Sequence, residues 1–131
     1  MAEMTKKRPK HLALHQIRLP LAGYASIFHR VSGAGLFLML PLLIWLLQLS
    51  LDATEPSAEM FSAVTGNLLV KLVLLGLIWA FLHHFCMGIR ILLIDIHVGV
   101  EKQQAHNSAM AVMVISLALT LIFGLKLLGA Y

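Results

Sequence analysis

Charge is what this sequence has least of. Only 12% of its 131 residues are Asp, Glu, Lys or Arg, whereas 60% are hydrophobic. Soluble domains carry about 25% charged residues, so that class is excluded and a membrane protein is indicated. Cysteine is almost absent too. Cys86 stands alone, which rules out an internal disulfide, a c-type haem attachment pair and a cysteine-held iron–sulfur cluster on this chain. Alternation of period two is missing from the apolar stretches, which excludes a membrane barrel. There is no internal repeat, no low-complexity tract and no flavin motif, so residues 1–131 read as one integral membrane domain.

What is present is a set of three long apolar runs, at about 25–51, 66–94 and 108–129. Each exceeds the roughly 20 residues that cross a 30 Å hydrocarbon core at 1.5 Å per residue. The expected fold is therefore an all-α membrane protein with three transmembrane helices. Pro20 punctuates the entry to the first run, and Asp52 closes it. The second opens after the polar loop "DATEPSAEM"; the third follows "EKQQAHNS", whose Asn107 or Ser108 is a candidate helix cap. The first run is long and no small-residue cleavage site follows a short apolar core, so it is expected to stay in the membrane.

The few charges are unevenly placed. Residues 1–30 hold Lys6, Lys7, Arg8, Lys10, Arg18 and Arg30 against Glu3 alone, a balance of +5, and the four remaining cations meet five acids for −1. No aromatic residues interleave with the basic arm (1–24), and it abuts an apolar span, so it is read as a topology signal and not as a nucleic-acid surface. With Asp52, Glu55 and Glu59 in a loop lacking Lys and Arg, the expected topology is N-terminus cytoplasmic and C-terminus periplasmic. Lys71 and Lys126 then fall near the outer face, where their side chains can snorkel to the headgroups.

Two stretches carry chemistry. "SIFHRVSGAG" (26–35) brings Arg30 into the first turns of a span, where arginine costs roughly 2.5 kcal/mol or more and calls for a partner or ligand. Ser26 lies one turn earlier on the same face. In the second span, "WAFLHHFCMGIRILLID" holds adjacent histidines about 100° apart round the helix, so the two face different directions. His84 interrupts the small-residue row Gly76, Ala80, Gly88; His83 neighbours the bulky Trp79 and Met87. Such a row serves helix packing or admits something flat. A neutral histidine is a good axial ligand for haem iron, and Gly88 leaves room for the ring, whereas His83 is placed to bond a neighbouring helix. If the second span ends near Arg90 to Asp95, His84 lies about 9–16 Å inside, on the side from which His29 and Arg30 enter. An anionic haem propionate would supply the counter-charge that Arg30 requires.

"RPKHLALHQIRLPLAGYASIFHRVSG" followed by "HFCMGIRILLID" resembles the cytochrome b subunit of succinate dehydrogenase, the larger membrane anchor of respiratory complex II. The resemblance spans nearly the whole chain. It implies a part in a heteromeric helix bundle of the bacterial inner membrane. It further implies that Ser26 and Arg30 belong to the ubiquinone site, that His84 is a haem b axial ligand, that His29 and Arg30 lie near the propionates, and that Arg90 and Asp95 close the second span. The haem would be shared with a smaller membrane anchor subunit supplying the second ligand. An iron–sulfur subunit and a flavoprotein subunit would carry the clusters and FAD, so this chain would serve succinate:quinone oxidoreductase without being competent alone. Where relatives often have histidine after the motif arginine, this chain has Ile91. The rival readings are an anchor of a quinol:fumarate reductase and a structural anchor without haem.

Overall fold

The computed structural model describes residues 16–129, so Lys6, Lys7, Arg8 and Lys10 of the basic arm lie outside the described residues. Four helices follow one another: α1 (Leu21–Leu51), α2 (Glu55–Gly66), α3 (Leu68–Asp95) and α4 (Lys102–Leu127). Among the described residues there is no strand. α1, α3 and α4 are long and apolar enough to cross a membrane. With 31, 28 and 26 residues, they measure about 39–46 Å at 1.5 Å per residue, so they extend beyond a hydrocarbon core of about 30 Å or tilt within it.

Three boundaries differ from the sequence expectation, each for a local reason. α1 starts directly after Pro20, whose extended backbone ends the preceding segment, so residues 21–24 belong to the helix and not to the arm. The stretch read as a polar loop, 52–66, contains α2. Pro56 stands in its first turn, where a missing N–H costs nothing, and Asp52 accepts hydrogen bonds from the Thr54 amide (3.1 Å) and the Ser57 hydroxyl (2.6 Å). α2 buries no residue, so hydropathy carried no sign of it. α4 starts at Lys102 after Glu101, one and a half turns before the apolar run, and Asn107 and Ser108 therefore lie inside it instead of capping it. Asn67 does cap α3, its side-chain oxygen accepting from the Leu69 amide at 2.8 Å.

α3 packs against both α1 and α4. Where α1 begins, α3 ends and α4 begins, Ala25, Met87, Ala109 and Val112 form one buried cluster. Alanines at two of these positions let the backbones approach closely, which is how helices associate where lipid removes the hydrophobic drive. Arg90 is buried at the same end. Its Nε donates to Ser108 Oγ (2.9 Å) and one Nη donates to the Ala105 carbonyl (3.1 Å), so the guanidinium braces α3 against α4. The chain reverses after α3 through His97 and Gly99, both at positive φ, 64° and 79°. Large apolar side chains such as Phe37, Leu38, Leu69 and Phe85 cover the outside. Such a surface belongs in lipid or against other helices, and the protein is a multi-pass membrane protein.

Candidate functional site

The two histidines of α3 have opposite fates. His83 is fully buried; its Nε2 donates to the Ala25 carbonyl of α1 at 3.2 Å, and its ring stacks on Trp79 at 5.2 Å. It is the interhelical bond that its bulky neighbours predict. His84 sits on the edge of the same seam, half-buried. Its Nδ1 lies 3.0 Å from the His29 carbonyl oxygen, which can only accept, so the proton is on Nδ1 and Nε2 keeps its lone pair. Ser32 Oγ donates to the same carbonyl at 2.9 Å and lies 3.3 Å from Nδ1. The His29 ring stacks on His84 with centroids 4.1 Å apart and planes 13° from parallel.

Position round α1 explains which groups are covered. At about 100° per residue, the order Ser32, Ala25, His29, Gly33, Ser26, Arg30 sweeps steadily across one face. Burial follows it: Ser32 and Ala25 are buried, His29, Gly33 and Ser26 half-buried, and Arg30 exposed. Ser26 and Arg30 thus form the rim of the seam that His29 and His84 line, and neither side chain has a hydrogen-bond partner among the described residues. Sequence reasoning passed over Ser32 and Gly33, although both stand in the motif. A Cβ on Gly33 would lie 2.8 Å from His84 Cε1 and 3.2 Å from Nδ1, so only glycine lets the imidazole lie against α1. The signal was the "SG" one turn after His29.

Three features of the site fit a haem. His84 Nδ1 is tied to a carbonyl, the arrangement that fixes tautomer and ring direction in metal-ligating histidines. Three side-chain polar atoms among the described residues are enclosed without a partner, His29 Nε2, Trp79 Nε1 and His83 Nδ1; His84 Nε2 is not one of them. On the same face of α3, a Cβ on Gly88, one turn from His84, or on Gly76, two turns away, would meet nothing within 4 Å, while Ala80 between them is packed. Arg90 lies in the last turns of α3, which ends at Asp95, and turns to α4.

Three helices long and apolar enough to cross a membrane carry a carbonyl-bound histidine on one seam and, at its rim, an arginine with no hydrogen-bond partner among the described residues, the frame of a membrane subunit. The model of the succinate dehydrogenase/fumarate reductase transmembrane subunit matches residues 4–123. The chain belongs to that family. It is 33% identical over 124 residues to the succinate dehydrogenase cytochrome b556 subunit of Paracoccus denitrificans, covering 93% of this chain and 94% of that one. The subunit of the same name from Coxiella burnetii is 33% identical over 113 residues, 86% of this chain and 90% of that one. That of Rickettsia felis is 29% identical over 120 residues, 92% and 93%.

Proposed function

We propose that this chain is the haem b-bearing membrane anchor of a succinate:quinone oxidoreductase, with its quinone site at the Ser26–Arg30 rim. The observation that carries this reading is the His84 imidazole, held through Nδ1 by the His29 carbonyl with Nε2 left for a metal. The relatives' name, cytochrome b556 subunit, supports haem b. His84 would be this chain's ligand to the haem iron, and a histidine of a smaller anchor subunit would supply another. Haem, when bound, supplies a one-electron redox centre inside the membrane. His29 presents its ring face to His84.

Quinone chemistry on this chain rests on two residues one turn apart. Arg30, a cation without a partner among the described residues, would meet the negative charge that develops on a quinone oxygen during reduction, and Ser26 would orient the ring. Succinate oxidation, FAD and iron–sulfur clusters fall to a flavoprotein and an iron–sulfur subunit docked on the cytoplasmic face. The orientation proposed is N-terminus and the α3–α4 turn inside, α2 and C-terminus outside, in a bacterial inner membrane; a Ser57→Cys protein labelled only from the cytoplasmic side would refute it. The family name spans fumarate reductases, but the relatives compared above are named for succinate dehydrogenase. The reduced-minus-oxidised spectrum of the protein, purified with the chains that accompany it, tests the reading. A low-spin b-type spectrum is expected. A colourless preparation with those chains present would leave only a structural anchor.

A further inference from the structure

At the end of the bundle away from His84, the helices open. A cavity of about 670 Å³ lies between the end of α1, α2, the start of α3 and the end of α4. Lys71, Lys126 and Ser62 are among its polar lining, with Leu43, Leu74 and Leu127 as part of its floor. These same three leucines also line a second, almost wholly apolar cavity of about 630 Å³ that continues to Phe81 and Phe123. A cationic mouth therefore passes directly into an apolar groove.

The charges at this end are segregated. Five charged side chains occur there, Asp52, Glu55, Glu59, Lys71 and Lys126; both cations line the cavity and none of the three acids does. Asp52 is occupied by Ser57 and Thr54. Of the hydroxyls at the mouth, Ser50 and Thr65 already donate to the Leu47 and Phe61 carbonyls, whereas Ser62 donates to no group among the described residues. Two ammonium groups and one free hydroxyl converge on a space three to four residues inside α3 and one residue from the end of α4. Lysines this close to the ends of helices long enough to span the hydrocarbon can reach the headgroup phosphates.

We infer that this cavity binds one phospholipid of net negative headgroup, its phosphate between Lys71 and Lys126 with Ser62 as a further donor, and an acyl chain along the groove from Leu43 and Leu74 to Phe81 and Phe123. Charge complementarity selects the headgroup, and the continuity of the two cavities selects a lipid over a free anion, which has no use for the groove. The site is independent of the haem at the other end. Each lysine near a membrane surface is worth about a fivefold preference for an anionic lipid, so the pair is worth about 30-fold.

The test uses the full chain purified with its accompanying chains, stripped of lipid in detergent and then given equal amounts of phosphatidylglycerol and phosphatidylcholine. Retained lipid is counted by mass spectrometry after gel filtration. Preferential retention of phosphatidylglycerol is expected, reduced about 30-fold in Lys71→Gln/Lys126→Gln and kept in Lys71→Arg/Lys126→Arg. Should the double variant fail to accumulate, each single glutamine substitution is expected to lose about fivefold. Equal retention of both lipids, or an unchanged preference in the glutamine variants, would overturn the assignment. So would a Ser62→Cys crosslink to an accompanying membrane chain, because that chain would then occupy the cavity.

Discussion

Replacing Gly33 with alanine puts a methyl carbon 2.8 Å from His84 Cε1 and 3.2 Å from Nδ1. Carbon atoms pack at about 3.5–4.0 Å, so the imidazole or the helix must retreat by roughly 0.7 Å or more. The bond from Nδ1 to the His29 carbonyl is 3.0 Å long, and the same retreat stretches it beyond hydrogen-bonding range. Overpacking costs about 1–3 kcal/mol and the lost bond about 0.5–1.5 kcal/mol, against about 1 kcal/mol gained from helix propensity. Loss of the group that orients a metal-ligating histidine typically weakens the metal site 10–100-fold. Gly33→Ala should therefore lower haem affinity by about that factor and disturb the low-spin spectrum. Gly35→Ala is the control, since its Cβ would meet nothing within 4 Å. Titrating haem into both proteins after extraction checks this. An unchanged spectrum and affinity in Gly33→Ala would refute the claim that the α1–α3 seam fixes the ligand.

Arg30→Leu should cut quinone reduction on the order of 10²-fold while succinate oxidation with an artificial acceptor persists; normal quinone turnover with an altered haem spectrum would confine Arg30 to the propionates. Arg90→Leu removes a buried guanidinium's bonds to Ser108 and Ala105 and should destabilise the α3–α4 pair by about 1.5–3 kcal/mol, read as a lower thermal midpoint in detergent. Lysine should not rescue it, having no fork to reach both groups. Hydrogen bonds from Ser57 and the Thr54 amide hold the Asp52 carboxyl below its usual range. Its folded pKa is depressed, so the α1–α2 corner is secured above about pH 4 and loosens as pH falls through the lowered value. Protection of the Thr54 amide, measured against its intrinsic exchange rate, should fall only in that acid window, and Asp52→Asn should remove that fall.

Long apolar runs made the three membrane helices legible, because burial in lipid is written directly in composition. Hydropathy marks the buried part of a helix and not its ends, which is why Lys102 to Asn107 of α4 went unread. α2 was hidden for the opposite reason, as it buries nothing and shows only in its Pro56 and the Asp52–Ser57 pairing. The contrast between His83 and His84 followed from their neighbours on the helix surface. The parts supplied by α1 did not, since the role of Gly33 depends on a contact across 51 positions of sequence. Arg90 shows the same limit: the motif places it at the close of the second span, but only the packing of α4 reveals Ser108 as its partner.

The central claim is that His84, and not His83, holds iron. Reduced-minus-oxidised visible spectra of His84→Ala and His83→Ala, each purified with its accompanying chains, test it most directly. His84→Ala is predicted to lose the low-spin b-type spectrum or change its spin state, and His83→Ala to keep it, with lower thermal stability from the lost bond to the Ala25 carbonyl. An intact low-spin spectrum in His84→Ala, together with its loss in His83→Ala, would contradict the account.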